Sequence, residues 1–78
     1  MEGNDVICEK VLVGDAEFNI AFIFEGEAYA VLRTAGEKIV VVRVFLEKDE
    51  LYHLKPPFEE RRISGLTEVE IVGEVSVF

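Results

Sequence analysis

The chain reads as an all-β domain, a small antiparallel meander or barrel of five to six strands with one long loop. Three observations predict it. Half of the 78 residues are hydrophobic, with twelve Val beside six each of Ile, Leu and Phe. That β-branched and aromatic crowding suits a pleated surface and disfavours helix. Short apolar runs recur about every ten residues with turn residues between them, the spacing of a sandwich or barrel. A chain this short organises one core, so residues 1–78 are expected to form a single domain.

The first run, Asp5 to Val13, is rich in Val and Ile and stops at Gly14-Asp15. Glu17 to Phe24 follows, and Glu25-Gly26-Glu27 makes a tight connection to Ala28–Arg33. After Thr34-Ala35-Gly36-Glu37 comes the longest run, Lys38 to Glu47. Residues 48–55 allow two readings. Leu51 and Leu54 lie at i, i+3 behind Asp49, which permits a short helix and an α+β fold. Pro56-Pro57 stops any helix after about five residues, too few to hold on propensity alone. A hairpin turn at Lys48-Asp49 followed by a strand from Glu50 to Leu54 is preferred. Lys55 to Leu66 reads as a long loop, of the kind that is functional or covers an open sheet edge. Glu68 to Phe78 is the last strand.

The faces of these strands carry more information than their ends, because neighbouring side chains point to opposite sides. In the last strand Val69, Ile71, Gly73, Val75 and Val77 share a side, opposite Glu68, Glu70, Glu74 and Ser76. Val72 interrupts the pattern, and Gly73 signals a bulge or a close backbone approach. The second and fourth strands are apolar on both sides. Phe18, Ile20, Phe22 and Phe24 back onto Ala21 and Ile23; Ile39, Val41 and Phe45 back onto Val40, Val42, Val44 and Leu46. Left wet, the Val40–Val42–Val44 row would forfeit about 1.5–3 kcal/mol per side chain and expose an aggregation-prone patch. Its cover is expected from a protein partner, most simply a second copy in a homo-oligomer. The alternative is a barrel that closes on itself. The second candidate surface is the long loop, where Phe58 stands on the Pro-Pro turn near Tyr52, Arg61 and Arg62. Tyr and Arg are enriched at interface hot spots.

Charge and composition exclude several functions. Sixteen acidic residues against eight basic ones give a net charge of −8, which repels a phosphate backbone, so no nucleic-acid partner is expected. No apolar run approaches the roughly 18 residues that cross a bilayer, so no membrane role is expected. Residues 1–5 lack the basic start and apolar stretch of a secretory signal, and a cytoplasmic location is the expectation. The single Cys8 allows no internal disulfide and reads as a small buried hydrophobe in the first strand. The lack of Gln and Trp, with abundant Glu, Val and Ile, follows a composition trend of hyperthermophile proteins.

Little in the chain resembles catalytic machinery. Ser64 and Ser76 lack a nucleophile-elbow context, and His53 is the only histidine. No enzyme activity, metal or cofactor is expected. The acidic turns at Asp15/Glu17, Glu25/Glu27 and Glu47/Asp49/Glu50 leave weak Ca²⁺ or Mg²⁺ binding as one alternative. A barrel binding a small apolar ligand among Phe18, Phe22 and Phe24 is another. The leading expectation is a non-enzymatic, acidic protein-interaction domain.

Three segments carry a family likeness: the strand Glu37 to Phe45, the acidic turn before Leu51-Tyr52-His53-Leu54 with Pro56-Pro57, and the closing run Glu68 to Phe78 with its glycine. From Gly36 onward the chain resembles the carboxy-terminal half of the LexA-type repressor peptidases. That resemblance implies an all-β scaffold and a habit of pairing chains. Where the family places its catalytic lysine, directly before Arg43, this sequence has Val42, and the family's Ser-Met dipeptide is absent. The resemblance therefore implies a scaffold without peptidase activity, and no site residue carries over.

Overall fold

A computed structural model of the chain describes residues 10–76. Its elements are β1 (Lys10–Leu12), a 3-10 turn (Val13–Asp15), β2 (Ile20–Phe24), β3 (Glu27–Ala35), β4 (Lys38–Leu46), β5 (Tyr52–Leu54), β6 (Glu60–Ser64) and β7 (Glu68–Glu74). The strands form one antiparallel sheet in the order β1-β7-β2-β3-β4-β5, with β6 also on β4. β6 lies along Lys38–Val42 and β5 along Val44–Leu46, so the two short strands share one edge of β4. The sheet curls until its far ends touch. Tyr52 bridges Val75, and the Gly14 N–H donates to the Gly65 carbonyl at 2.8 Å.

The all-β expectation holds, and of the two readings of residues 48–55 the preferred one, a turn and then a strand, is found: Glu47 and Leu51 are joined across a turn by a 3.0 Å backbone hydrogen bond, and β5 follows. Two other expectations need correction. The long loop contains β6, whose sequence Glu-Arg-Arg-Ile-Ser has a single apolar residue and so shows no alternation. Phe18 lies in the turn before β2 and is exposed. Cys8 and the rest of 5–9, with Val77 and Phe78, fall outside the described residues.

Turn chemistry sets the hairpins. Glu25 and Gly26 both have positive φ, 54° and 85°, between the paired Phe24 and Glu27. A two-residue turn with both φ positive matches the right-handed twist of its strands. Gly36, at φ 67°, does the same work between β3 and β4.

Two bulges decide which residues share a face. On β7, Ala21 faces Gly73 while Phe22 faces Ile71, which leaves Val72 as the extra residue. One inserted residue swaps every later side chain to the opposite side. Val69 therefore joins the first core with Val13, Phe22, Tyr29, Val31, Ile39, Val41 and Ile63. Val75 joins a second core, on the other face, with Ala21, Ala30 and Val44. The odd-numbered row of the last strand, expected on one side, is thus divided between two. A similar shift at Leu32 on β3 places Arg33 beside Val40.

The Val40–Val42–Val44 row, expected to await a partner, is buried in the single chain at 1%, 2% and 0% exposure. The second face is thin enough for so short a chain to cover. It is built largely of small residues, Ala21, Ala28 and Ala30, with Tyr52, Leu54 and Val75 packed about Val44. Arg33 on β3 and Glu60 on β6 flank β4 beside Val40 and Val42, and their charged ends meet at 3.7 Å. Long charged side chains shield apolar surface with their stems while the heads stay in water.

Gly73 is where that second face is tightest. A Cβ there would lie 2.8 Å from Cε1 of the Tyr52 ring. Gly73→Ala is expected to destabilise the chain by about 1–3 kcal/mol through overpacking. Urea unfolding of Gly73→Ala, Tyr52→Leu and the double variant checks this: the ring's removal should lessen the effect of the alanine.

Candidate interaction surface

The seven residues expected to bind a partner do not form one surface. Val40, Val42 and Val44 are core. Tyr52 is half-buried, its ring against Gly73, and so is structural. Phe58 projects from the loop before β6 and is 57% exposed. Arg61 and Arg62 are neighbours on β6 and point to opposite faces, Arg61 beside Val41 and Arg62 beside Val40.

Arg61 belongs to a latch at one end of the sheet. Its guanidinium lies 4.9 Å from the centre of the Phe24 ring and donates to Glu25 at 2.7 Å. That carboxylate, and then the Tyr29 hydroxyl, push the Arg61 pKa up. Arg43 sits between Phe45, at 4.5 Å, and Tyr29, at 5.8 Å, and pairs with Glu27 at 2.9 Å. Phe24 and Tyr29 meet edge to face at 6.1 Å. Guanidinium over aromatic faces is favourable, more so when water is excluded. The latch pins the β2–β3 hairpin to β4 and β6. Each arginine is matched to a glutamate, so the cluster presents no free cation to a phosphate.

A second cluster surrounds the turn before β5. Asp49 Oδ1 accepts the Leu51 N–H at 3.0 Å, while its Oδ2 pairs with His53 Nε2 at 2.9 Å. Glu47 pairs with Lys55. With Glu25 and Glu27 held by arginines, four of the seven carboxylates offered as cation ligands are engaged by protein groups, and no group of three or more His, Cys, Asp or Glu suited to a metal occurs among the described residues. The Leu51 N–H, and then His53, hold the Asp49 carboxyl below the ordinary aspartate value. A carboxylate depressed in the folded state contributes stability above its unfolded pKa, and that contribution is lost as pH falls through the folded value. Asp49→Asn is therefore expected to lower the urea midpoint at neutral pH. The difference from wild type should shrink as the pH drops below about 4.

The third feature joins residues far apart in sequence. At the end of the sheet where β1 leaves, the β3–β4 turn and the β6–β7 turn converge on a groove of about 380 Å³ lined by Leu12, Gly14, Asp15, Glu37, Ser64, Gly65 and Leu66. Its floor is the Gly14–Gly65 contact, where a Cβ on Gly14 would lie 3.0 Å from the Gly65 oxygen. The turn is fixed twice by Ser64: its hydroxyl accepts the Leu66 N–H at 3.1 Å and its carbonyl accepts the Thr67 N–H at 3.0 Å. Leu66 is thereby held out on a rigid turn at 78% exposure, with Leu12 nearby at 37%. Strand periodicity could not find this groove. The signals in the sequence were a leucine inside the turn run Ser-Gly-Leu-Thr and the two glycines that let the backbones touch.

Among the described residues no helix is long and apolar enough to cross a membrane. Comparison with known protein families, with curated proteins and with solved structures gives no match to this chain.

Proposed function

We propose that this chain is a non-enzymatic protein-interaction domain, a component of a larger assembly that docks through the Leu12–Leu66 groove. One observation carries the reading: Leu66 stays 78% exposed on a turn that two hydrogen bonds hold in place. A loose turn would lose backbone entropy on docking; a turn already held by hydrogen bonds loses less, so only the leucine side chain has still to be ordered. Phe18, Leu46 and Phe58 are exposed as well, but Leu66 is the most exposed of the large apolar side chains among the described residues, and Leu12 lines the same groove.

The reading without catalysis draws support from where the polar groups lie. His53 is engaged by Asp49, and it borders a different depression from Ser64. A non-nucleic-acid partner is supported by the net charge of −8 and by the glutamates matched to Arg43 and Arg61. The small-ligand alternative loses ground, because Phe22 is fully buried in packed core and Phe18 lies outside it. Self-association through Val40, Val42 and Val44 loses its basis for the same kind of reason, since those side chains are already covered.

A photo-crosslinking residue at position 66, with one at exposed Val72 as control, tests the reading in the native cell extract. An adduct with a different protein at position 66, absent at position 72, is the expected result. Adducts at both positions alike, or none at position 66, contradict it.

A further inference from the structure

We infer that the groove takes a cationic protein segment carrying one or two apolar side chains, and not a second copy of this chain. The inference rests on the interaction reading above and concerns the chemistry of the partner. Three carboxylates surround the apolar pair. Asp15 and Glu37 line the groove, and Glu68 faces Leu12 across the β1–β7 ladder. Among the described residues none of the three is in an ion pair, a property they share with Glu17, Glu50, Glu59, Glu70 and Glu74; what sets them apart is that they stand beside an exposed apolar pair, while Glu25, Glu27, Glu47, Asp49 and Glu60 each have a cationic or histidine partner. Those pairs draw on Arg33, Arg43, His53, Lys55 and Arg61, none of which lines the groove. Lys38 is the nearby cation, opposite Ser64 and next to Glu37 in the chain, and it leaves the rim acidic.

A surface of this kind selects by charge as well as by shape. Two copies meeting through it would bring carboxylate against carboxylate, on molecules that each carry −8, and like charges placed together suppress a wrong partner. A basic segment reverses that sign and is steered inward as it approaches. The volume, about 380 Å³, is at the small end of the range for binding pockets, which suits one or two side chains. Leu12 and Leu66 would flank the inserted apolar group, and the three carboxylates would meet lysine or arginine beside it. Rim charges of this type act mainly on association rate and on its dependence on salt.

The full chain, isotopically labelled, titrated with a short peptide of alternating Lys and Leu tests this by amide chemical shifts. Peptides of alternating Glu and Leu, and of alternating Lys and Ser, serve as controls. Saturable shifts at Leu12, Gly14, Asp15, Gly65 and Leu66 with the Lys-Leu peptide alone are expected. Leu66→Ser should weaken binding about tenfold, as loss of an interface anchor does. Asp15→Asn with Glu37→Gln should weaken it and flatten its salt dependence. Unchanged melting curves for these surface variants establish that the fold is intact. Equal binding of the Glu-Leu peptide overturns the charge inference. Equal binding of the Lys-Ser peptide, shifts spread over the whole acidic surface, or indifference to Leu66→Ser overturns the groove as its location. A crosslinked partner at position 66 with no Lys-Leu binding refutes this chemistry and leaves the interaction reading standing; failure of both refutes both.

Discussion

Phe22→Ala is expected to remove about 3–5 kcal/mol, a large part of the chain's stability. Phe22 is fully buried at the centre of the first core, on a strand paired on both sides, with Tyr29 opposite it on β3 and Ile71 on β7. Truncating such a ring costs about 3–5 kcal/mol, because the surrounding strands close the cavity only in part. A domain of this length has about 4–12 kcal/mol of total stability. The variant's urea midpoint, followed by far-UV circular dichroism, should fall by about 2–4 M, or no folded baseline should be seen. Phe24→Ala is the comparison. Phe24 packs on the same core from its edge and carries the Arg61 contact, so its loss should be smaller. A shift for Phe22→Ala no larger than for Phe24→Ala would show that the first core is centred elsewhere.

Val42→Asp is expected to unfold the chain outright. Val42 is 2% exposed, between Ala30 and Glu60 on the neighbouring strands. An unpaired carboxylate placed there loses its hydration, at an effective penalty of several kcal/mol. Glu60 adds a like charge alongside, which makes ionisation worse. The outcome separates two views of β4. Were this row a docking surface, an aspartate would yield a folded chain that has lost its partner. With the row as core, it yields a chain with no dispersed amide spectrum at neutral pH. Val72→Asp, on the exposed bulge of β7, should fold normally and serves as the control.

The sequence made the sheet legible because strands half-buried or fully buried write their period into the residue order. Lys38–Leu46, with β-branched residues on both sides, could hardly be anything but a central strand. Glu60–Ser64 was illegible for the opposite reason: an edge strand stays soluble by being polar, and Glu-Arg-Arg-Ile-Ser has the composition of a loop. Parity said which side chains share a face and nothing about what lies over that face. So the Val40 row was correctly read as needing cover, while its cover, residues contributed by β5, β6 and the end of β7, depended on contacts between distant segments. Gly73 was readable as an exception, and it marks both a bulge at Val72 and the close approach of Tyr52. The bulge's consequence, the transfer of Val75 to the second core, follows only once the pairing register is known. The groove was the least accessible of all, since Leu12 and Leu66 are brought to one groove by a backbone contact between Gly14 and Gly65 that no side-chain pattern records.

In this fold the two-faced strands β2 and β4 are sealed by their own chain. The most direct test is the thermal unfolding midpoint measured from about 1 µM to about 1 mM protein, since unfolding coupled to dissociation makes that midpoint concentration-dependent. A self-covered fold predicts one midpoint throughout, within about a degree. A midpoint that climbs several degrees with concentration would mean that another copy completes the core, and would contradict the account.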